Sequence, residues 1–318
     1  MLSRVADSLY WLGRYLERAE FAARLAEINL HLALDHSHDD QSERWSRMLA
    51  AVDCSADTAE DNGYPAIDAL AFNPESSHSI ATCIANAREN ARQVREQVTT
   101  EMFEQLNAMY FQVRKTRLAD IWNAQPYRFF RDIRQGAYLF DGITEATLPH
   151  GEPYAFIHLG RALERTACTA RLLDVYLADD LTDQADAFEA GHYLKCVALL
   201  RCCDAFEAYQ DAYPEGVRAD HIAEFLLFSQ ELPRSLRFAA DRLHDALATI
   251  ADRSGSTLAQ PVTRLAGRLQ AQLMYAQLNE VIDRGLHTFL TDVQAACDSI
   301  HHTNYRAFIA YPIQEMTA

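Results

Sequence analysis

An all-α fold follows from three observations on the 318-residue chain. Apolar residues recur at the 3.6-residue period of amphipathic helices, and no alternating strand pattern appears. Ala, Leu, Glu, Arg and Gln, all good helix formers, dominate, with only 11 Gly and 9 Pro to interrupt them. One helical stretch also occurs twice. Residues 12–25 (LGRYLERAEFAARL) return at 159–172 (LGRALERTACTARL), with nine of fourteen positions identical at an offset of 147, including Gly13/Gly160, Arg14/Arg161, Glu17/Glu164, Arg18/Arg165 and Arg24/Arg171. The chain therefore reads as a helical bundle built from two tandem copies of one multi-helix repeat, 1–147 and 148–318, packed together as one body.

The elements follow in order. The first helix runs over about 3–34, with Ser3 as its N-cap, and ends in the polar stretch 35–40. A shorter helix covers about 43–52, and 53–75, holding Gly63, Pro65 and Pro74, reads as a loop with a short turn. A helix opening near Ser77 or Ser79 carries Ile80, Ile84, Ala87, Ala91 and Val94 towards the core. The next covers about 100–123, with Phe103, Leu106, Tyr110 and Val113 on one side, and 127–143 is a further, aromatic-rich helix. Pro149, Gly151 and Pro153 then break the chain.

The second copy extends beyond the duplicated helix, because 226–236 resembles 70–80 at an offset grown to 156, pairing Phe72 with Phe228, Glu75 with Glu231 and Ser79 with Ser235. Between them 193–209 reads as helix and 213–216 as a turn; 234–253 is helical, and 254–256 leads to a long last helix pair, about 261–302. The tail from Tyr311 reads as loose.

Residues advance by about 100° around a helix axis, which places Leu9, Leu12, Leu16 and Ala23 on one flank of the first helix and Tyr10, Phe21, Leu25 and Ile28 on the other. Gly13, Glu17 and Arg24 fall between, in the middle of the apolar arc, and Gly160, Glu164 and Arg171 do the same in the second copy. An unpaired carboxylate there costs several kcal/mol, so Glu17 is expected to reach Arg14, Arg24 or arginines of the related helix, and Glu164 likewise. A glycine inside a helix costs about 1 kcal/mol and needs a packing reason, so the two helices are expected to cross near Gly13 and Gly160. The centre reads either as a structural ion-pair network or as an anion- or substrate-binding pocket lined by Arg14, Arg18, Arg161 and Arg165.

A formal charge of -16 argues against a nucleic-acid or anionic-membrane binder. Charges close to the amino terminus and the lack of a run of about 20 apolar residues predict neither a signal peptide nor a spanning helix, hence a cytoplasmic protein. The seven cysteines read as reduced core residues. No Gly-rich phosphate loop, nucleophile elbow or zinc-protease motif is present, so no cofactor is expected. Asp179, Asp180 and Asp183 fit a Mg²⁺-binding spacing, but a second aspartate-rich motif is missing, and an acidic loop is the default. Glu189/His192 and Asp241/His244 resemble the spacing of di-iron bundles; surface acids and satisfied histidines are the default there. His36/His38 and His301/His302 read as exposed polar residues at a loop and a helix end.

Four stretches together resemble the alpha-E domain family of bacterial helical proteins, named for a Glu-Arg motif: 1–25, 87–107, 158–174 and 225–238. The resemblance spans nearly the whole chain, with Phe103 where members commonly carry tryptophan and Cys168 in the second duplicated helix as departures. It implies association with circularly permuted ATP-grasp proteins and with transglutaminase-like proteins, in systems that make or modify peptides. The residues it carries over are Arg14, Glu17, Arg18, Arg24, Arg161, Glu164, Arg165 and Arg171. Three readings stand open: an accessory or binding component that docks an ATP-grasp ligase and offers arginines to an acidic small molecule or peptide; an enzyme using Glu17 or Glu164 as general acid/base; and a scaffold without ligand.

Overall fold

The computed structural model describes residues 3–35, 41–54, 63–122, 124–178, 190–254 and 259–309, which contain helices and no strand. The helices are α1 (Ser3–Asp35), α2 (Gln41–Ala51), α3 (Tyr64–Ala71), α4 (Ile80–Gln93), α5 (Thr100–Lys115), α6 (Leu118–Trp122) and α7 (Pro126–Thr147). They continue as α8 (Glu152–Leu177), α9 (Ala190–Cys202), α10 (Phe206–Ala212), α11 (Ala219–Phe228), α12 (Leu236–Ser254), α13 (Gln260–Tyr275), α14 (Leu278–Arg284) and α15 (Leu286–Asn304), followed by a π-helical turn, Tyr305–Ile309. No described helix is long and apolar enough to cross a membrane.

Helices α1 and α8 form the central pair. Around them α4 and α7 pack beside α1 with α5 behind them, and α12 and α15 pack beside α8 with α13 behind them. Their predicted flanks are buried accordingly: Leu9, Leu12, Leu16, Ala23, Tyr10, Phe21 and Leu25 all lie in the core, with Ile28 packed at its edge. Serine caps start the partner helices. Ser79 accepts from the Thr82 amide ahead of α4, and Ser235 accepts from the Phe238 amide at 3.0 Å at the start of α12.

Several boundaries differ from the sequence reading. Residues 64–71 are helix rather than loop, because Pro65 sits in the first turn, where its missing N–H is not needed, and Ile67 and Leu70 are buried. The predicted helix over 100–123 divides into α5 and α6 at Thr116–Arg117, and its buried stripe is Met102, Leu106, Met109 and Val113, with Phe103 and Tyr110 only packed against it. The helix expected at 193–209 breaks between α9 and α10, where Asp204 takes a left-handed φ of 47°. The predicted last pair is three helices, α13 to α15, and α11 is an element the periodicity did not isolate. Asp179, Asp180, Asp183, Glu189, His36, His38 and the tail from Tyr311 lie outside the described residues.

Candidate functional site

The site begins at the crossing of α1 and α8. A Cβ on Gly13 would run into the carbonyl oxygen of Ile157, and one on Gly160 into that of Tyr10, so only glycine lets the two backbones meet this closely. One turn beyond each glycine, Glu17 and Glu164 are buried to 4% exposure. Each reaches across the crossing to the other helix, not to an arginine of its own.

Glu17 receives a fork from Arg165, Nε to Oε1 at 2.6 Å and Nη2 to Oε2 at 2.7 Å. Arg234 adds Nη1 to Oε1 at 3.3 Å, and Arg161 Nε stands 3.8 Å from Oε2. Glu164 receives Arg18 (Nε to Oε1, 2.7 Å; Nη2 to Oε2, 3.1 Å) and Arg14 (Nε to Oε2, 2.6 Å). The outer arms match as well: Arg18 Nη1 reaches the Ser77 carbonyl and Arg165 Nη1 the Pro233 carbonyl, each at 3.5 Å. Burial alone would raise both carboxyls, but the guanidiniums prevail. Arg165 and Arg234 hold Glu17 far below the carboxylate range, and Arg14 and Arg18 hold Glu164 at about 2.

Beyond this core the two sides diverge. On the Glu17 side Arg234 donates to Glu20 at 2.7 Å, Glu20 pairs with Arg24, and fully buried Arg24 donates to Asp204 at 2.7 Å. Arg134 binds Asp204 (3.1 Å) and Glu27 (3.1 Å), Tyr138 donates to Asp204 at 2.6 Å, and Arg161 pairs with Asp141. Burial raises Asp141 to about 6 despite Arg161. On the Glu164 side Arg14 lies over Trp11, 4.9 Å from the ring centre, and its Nη1 sits 3.2 Å from His301 Nδ1, which also bonds Tyr10 at 2.8 Å. Burial and then Arg14 lower His301 to about 4, so the ring is neutral near pH 7 and its Nδ1 accepts. Arg171 makes no ion pair among the described residues.

The four arginines expected to line one pocket therefore fall into two pairs on two carboxylates, with the glycine crossing between them. Beside Glu17 lies a crevice of about 10 Å³, next to Glu20, Tyr138, Asp141 and Arg234. A larger cleft, about 610 Å³, lies between α8 and α12 on the other side of Arg161 and Arg165. Among the described residues no three His, Cys, Asp or Glu are grouped so as to hold a metal. Asp241 accepts from Gln270 at 3.0 Å. The cysteines are free and, Cys54 apart, buried; burial pushes the Cys203 thiol up to about 12, away from thiolate chemistry at neutral pH.

Sequence reasoning missed Glu20, Arg234, Asp204, Asp141, Arg134 and Glu27. Two carried a readable signal: Glu20 lies four residues before Arg24 in the duplicated stretch, and Arg234 stands next to Ser235 in the second matched stretch. Asp204 announces itself only through backbone geometry.

The model of a family described as a predicted alpha-helical domain with a conserved ER motif matches residues 1–309. Uncharacterized proteins of Mycobacterium bovis and Mycobacterium tuberculosis (strain CDC 1551) are each 24% identical to this chain over 317 residues, covering 92% of it and 35% of the relative. A protein of M. tuberculosis strain H37Rv, also uncharacterized, is 23% identical over the same span. The chain thus spans about a third of the length of the curated relatives it matches. No solved structure is significantly similar to it.

Proposed function

The chain belongs to the Alpha-E family, and on that footing we propose that it is an accessory or binding component, not itself a catalyst, of a peptide-synthesising or peptide-modifying system. Its partner is a circularly permuted ATP-grasp protein, with a transglutaminase-like protein as a further member, and it works in the cytoplasm. Its body is two copies of one helical unit, 1–147 and 148–318, locked together through the Glu/Arg centre.

The observation that carries this reading is the state of the two glutamates. A general acid or base works best with a pKa near the operating pH, whereas Glu17 and Glu164 are clamped as carboxylates by cross-helix arginines and held at about 2 or below. They are suited to hold α1 against α8 and poorly suited to move protons. The duplication is supported by the reciprocal pairing and by Asp53 and Asp204. Each follows a helix in the left-handed region, φ 54° and 47°, and the chain reverses there through the same amide bonds, Cys54 to Leu49 and Ala205 to Leu200.

Co-expression with a circularly permuted ATP-grasp protein of the same genome tests the partnership: a stable complex, and a ligase whose turnover falls when this chain is omitted, are expected. A ligase fully active alone, with no association, sinks the reading. Turnover by the isolated chain that vanishes in Glu17→Gln with an unchanged melting temperature would instead establish the enzyme. Unaltered ligand binding and partner activity in Arg18→Ala and Arg165→Ala would leave only a scaffold.

A further inference from the structure

The cleft between α8 and α12 has a floor of alanines: Ala155 and Ala162 on α8, Ala239 and Ala246 on α12. Short side chains at these facing positions keep the trough open. Its lining runs from Tyr154 to Arg165 on one helix and from Phe238 to Arg253 on the other. At 1.5 Å of rise per residue that is roughly 16–22 Å, the span of an extended chain of about five or six residues.

The walls carry both signs of charge and both senses of hydrogen bond. Along one, His150, Tyr154 and His158 stack with ring centres 4.1 and 4.0 Å apart, and Tyr154 donates to Glu145. The His158 Nε2 stands 3.4 Å from Glu145 Oε1. Along the other, Arg242 covers the Phe238 ring at 5.1 Å and touches Asp245 only at 3.9 Å, so with 64% of its side chain exposed its donors are unspent. Arg253 is held by the His150 carbonyl at 3.0 Å. Arg161 and Arg165 close the inner end.

We infer that this groove binds a short, extended, acidic peptide, its carboxylates meeting Arg242 and Arg253 and its amides meeting the neutral donors and acceptors of the walls. Glu145 and Asp245 on the rims oppose a continuous phosphate chain, whereas separated carboxylates can avoid them. Trp11, 147 residues before His158, packs against Tyr15 with ring centres 5.1 Å apart and covers Arg14. The inference rests on the reading of the chain as a binding component, not on the identity of its partner.

Fluorescence anisotropy of the full chain with a fluorescein-labelled hexapeptide of alternating glutamate and alanine tests it, against the lysine–alanine counterpart and with inorganic phosphate as competitor. The acidic peptide binds and the lysine peptide does not. Reversing the two rim charges (Arg242→Glu with Arg253→Glu) weakens the acidic peptide about tenfold or more. Thr249→Trp, which fills the groove without altering charge, weakens it similarly, while the melting temperature of both variants holds. Absence of acidic-peptide binding, retention of it in either variant, or displacement by phosphate at equal concentration overturns the site. Peptide binding without ligase association would fault the partnership alone, and ligase association without peptide binding would fault the groove alone.

Discussion

The carboxylates at the two ends of the helix crossing have the same motif and opposite surroundings. Glu17 opens a connected network in which Arg161, Arg165, Arg234, Arg24 and Arg134 interleave with Glu20, Asp204, Asp141 and Glu27, all part-buried or buried except Asp204, which is 39% exposed. Glu164 ends its own network: Arg14 and Arg18 share it, and what lies beyond is aromatic or neutral. The divergence comes from a few substitutions at matching positions. Ala167 stands where the first duplicated helix has Glu20, and His78 stands where the second matched stretch has Arg234. A duplicated motif thus fixes the pairing across the crossing, while neighbours from other helices decide how far charge extends into the core.

The largest effect should come from neutralising the carboxylates. Glu17→Gln leaves part-buried Arg165 and buried Arg234 without their shared counter-charge, and removing one member of a buried pair costs about 3–5 kcal/mol. Glu164→Gln should cost less, about 2–3 kcal/mol, because Arg14 and Arg18 lean on Trp11 and Tyr15, whereas Glu17→Gln also deprives the more deeply buried Arg234 of a partner. Urea unfolding of the two variants measures the difference. Equal losses would mean that the extended network adds nothing to Glu17.

The crossing itself should treat the two copies alike. Gly13→Ala and Gly160→Ala each place a methyl group against a backbone carbonyl that cannot turn aside, so the helices must part. Overpacking of this kind costs about 1–3 kcal/mol, offset in part by alanine's better helix propensity. Melting curves should show similar losses for both. A neutral result in one alone would show that the two backbones do not approach symmetrically.

Much of this was legible in the sequence, and the limit has a physical cause. Gly13, Glu17, Gly160 and Glu164 could be placed at the meeting of two helices because each copy carries its own period, and a buried charge in an apolar arc has few places to go. The partners of Glu17 beyond Arg165 were not legible, since Arg234, Asp204 and Asp141 arrive from the turn just ahead of α12, the bend after α9, and α7, which no local pattern brings together. Asp204 was hidden for a second reason. Apolar residues continue on both sides of it, so periodicity reads through the left-handed bend that aims its carboxylate at Arg24.

The asymmetry can be partly undone. Glu20→Ala and Arg234→His make the Glu17 side resemble the Glu164 side at two positions. Alone, each strands the other's charge against Arg24 or Glu17; together they remove a pair. The combined loss should fall short of the sum of the single losses by about 0.5–3 kcal/mol, read from a double-mutant cycle of unfolding free energies. Additive losses would mean that Arg234 and Glu20 do not act on one another, contrary to their 2.7 Å contact.

The smallest expected effect separates Asp141 from His301 by the sign of its pH dependence. Asp141, faced by Arg161, Glu17, Arg165 and Glu20, titrates at about 6 in the fold against 3.8 unfolded. Its contribution is therefore full below 3.8 and lost as pH rises through 6. His301, faced by Tyr10, Trp11, Arg14 and His302, titrates at about 4 against 6.5, so its contribution is full above 6.5 and lost as pH falls towards 4. Between these limits acidification should help the first site and harm the second. Asp141→Asn should steepen the fall in stability on the acid side, and His301→Gln should flatten it, each by about 1 kcal/mol after allowing for solvent screening at the half-exposed imidazole. Chemical denaturation at pH 7 and pH 4.5 for the parent and both variants reads the two slopes. Variants that tilt the profile the same way would show that these two positions sense one common field and not two separate centres.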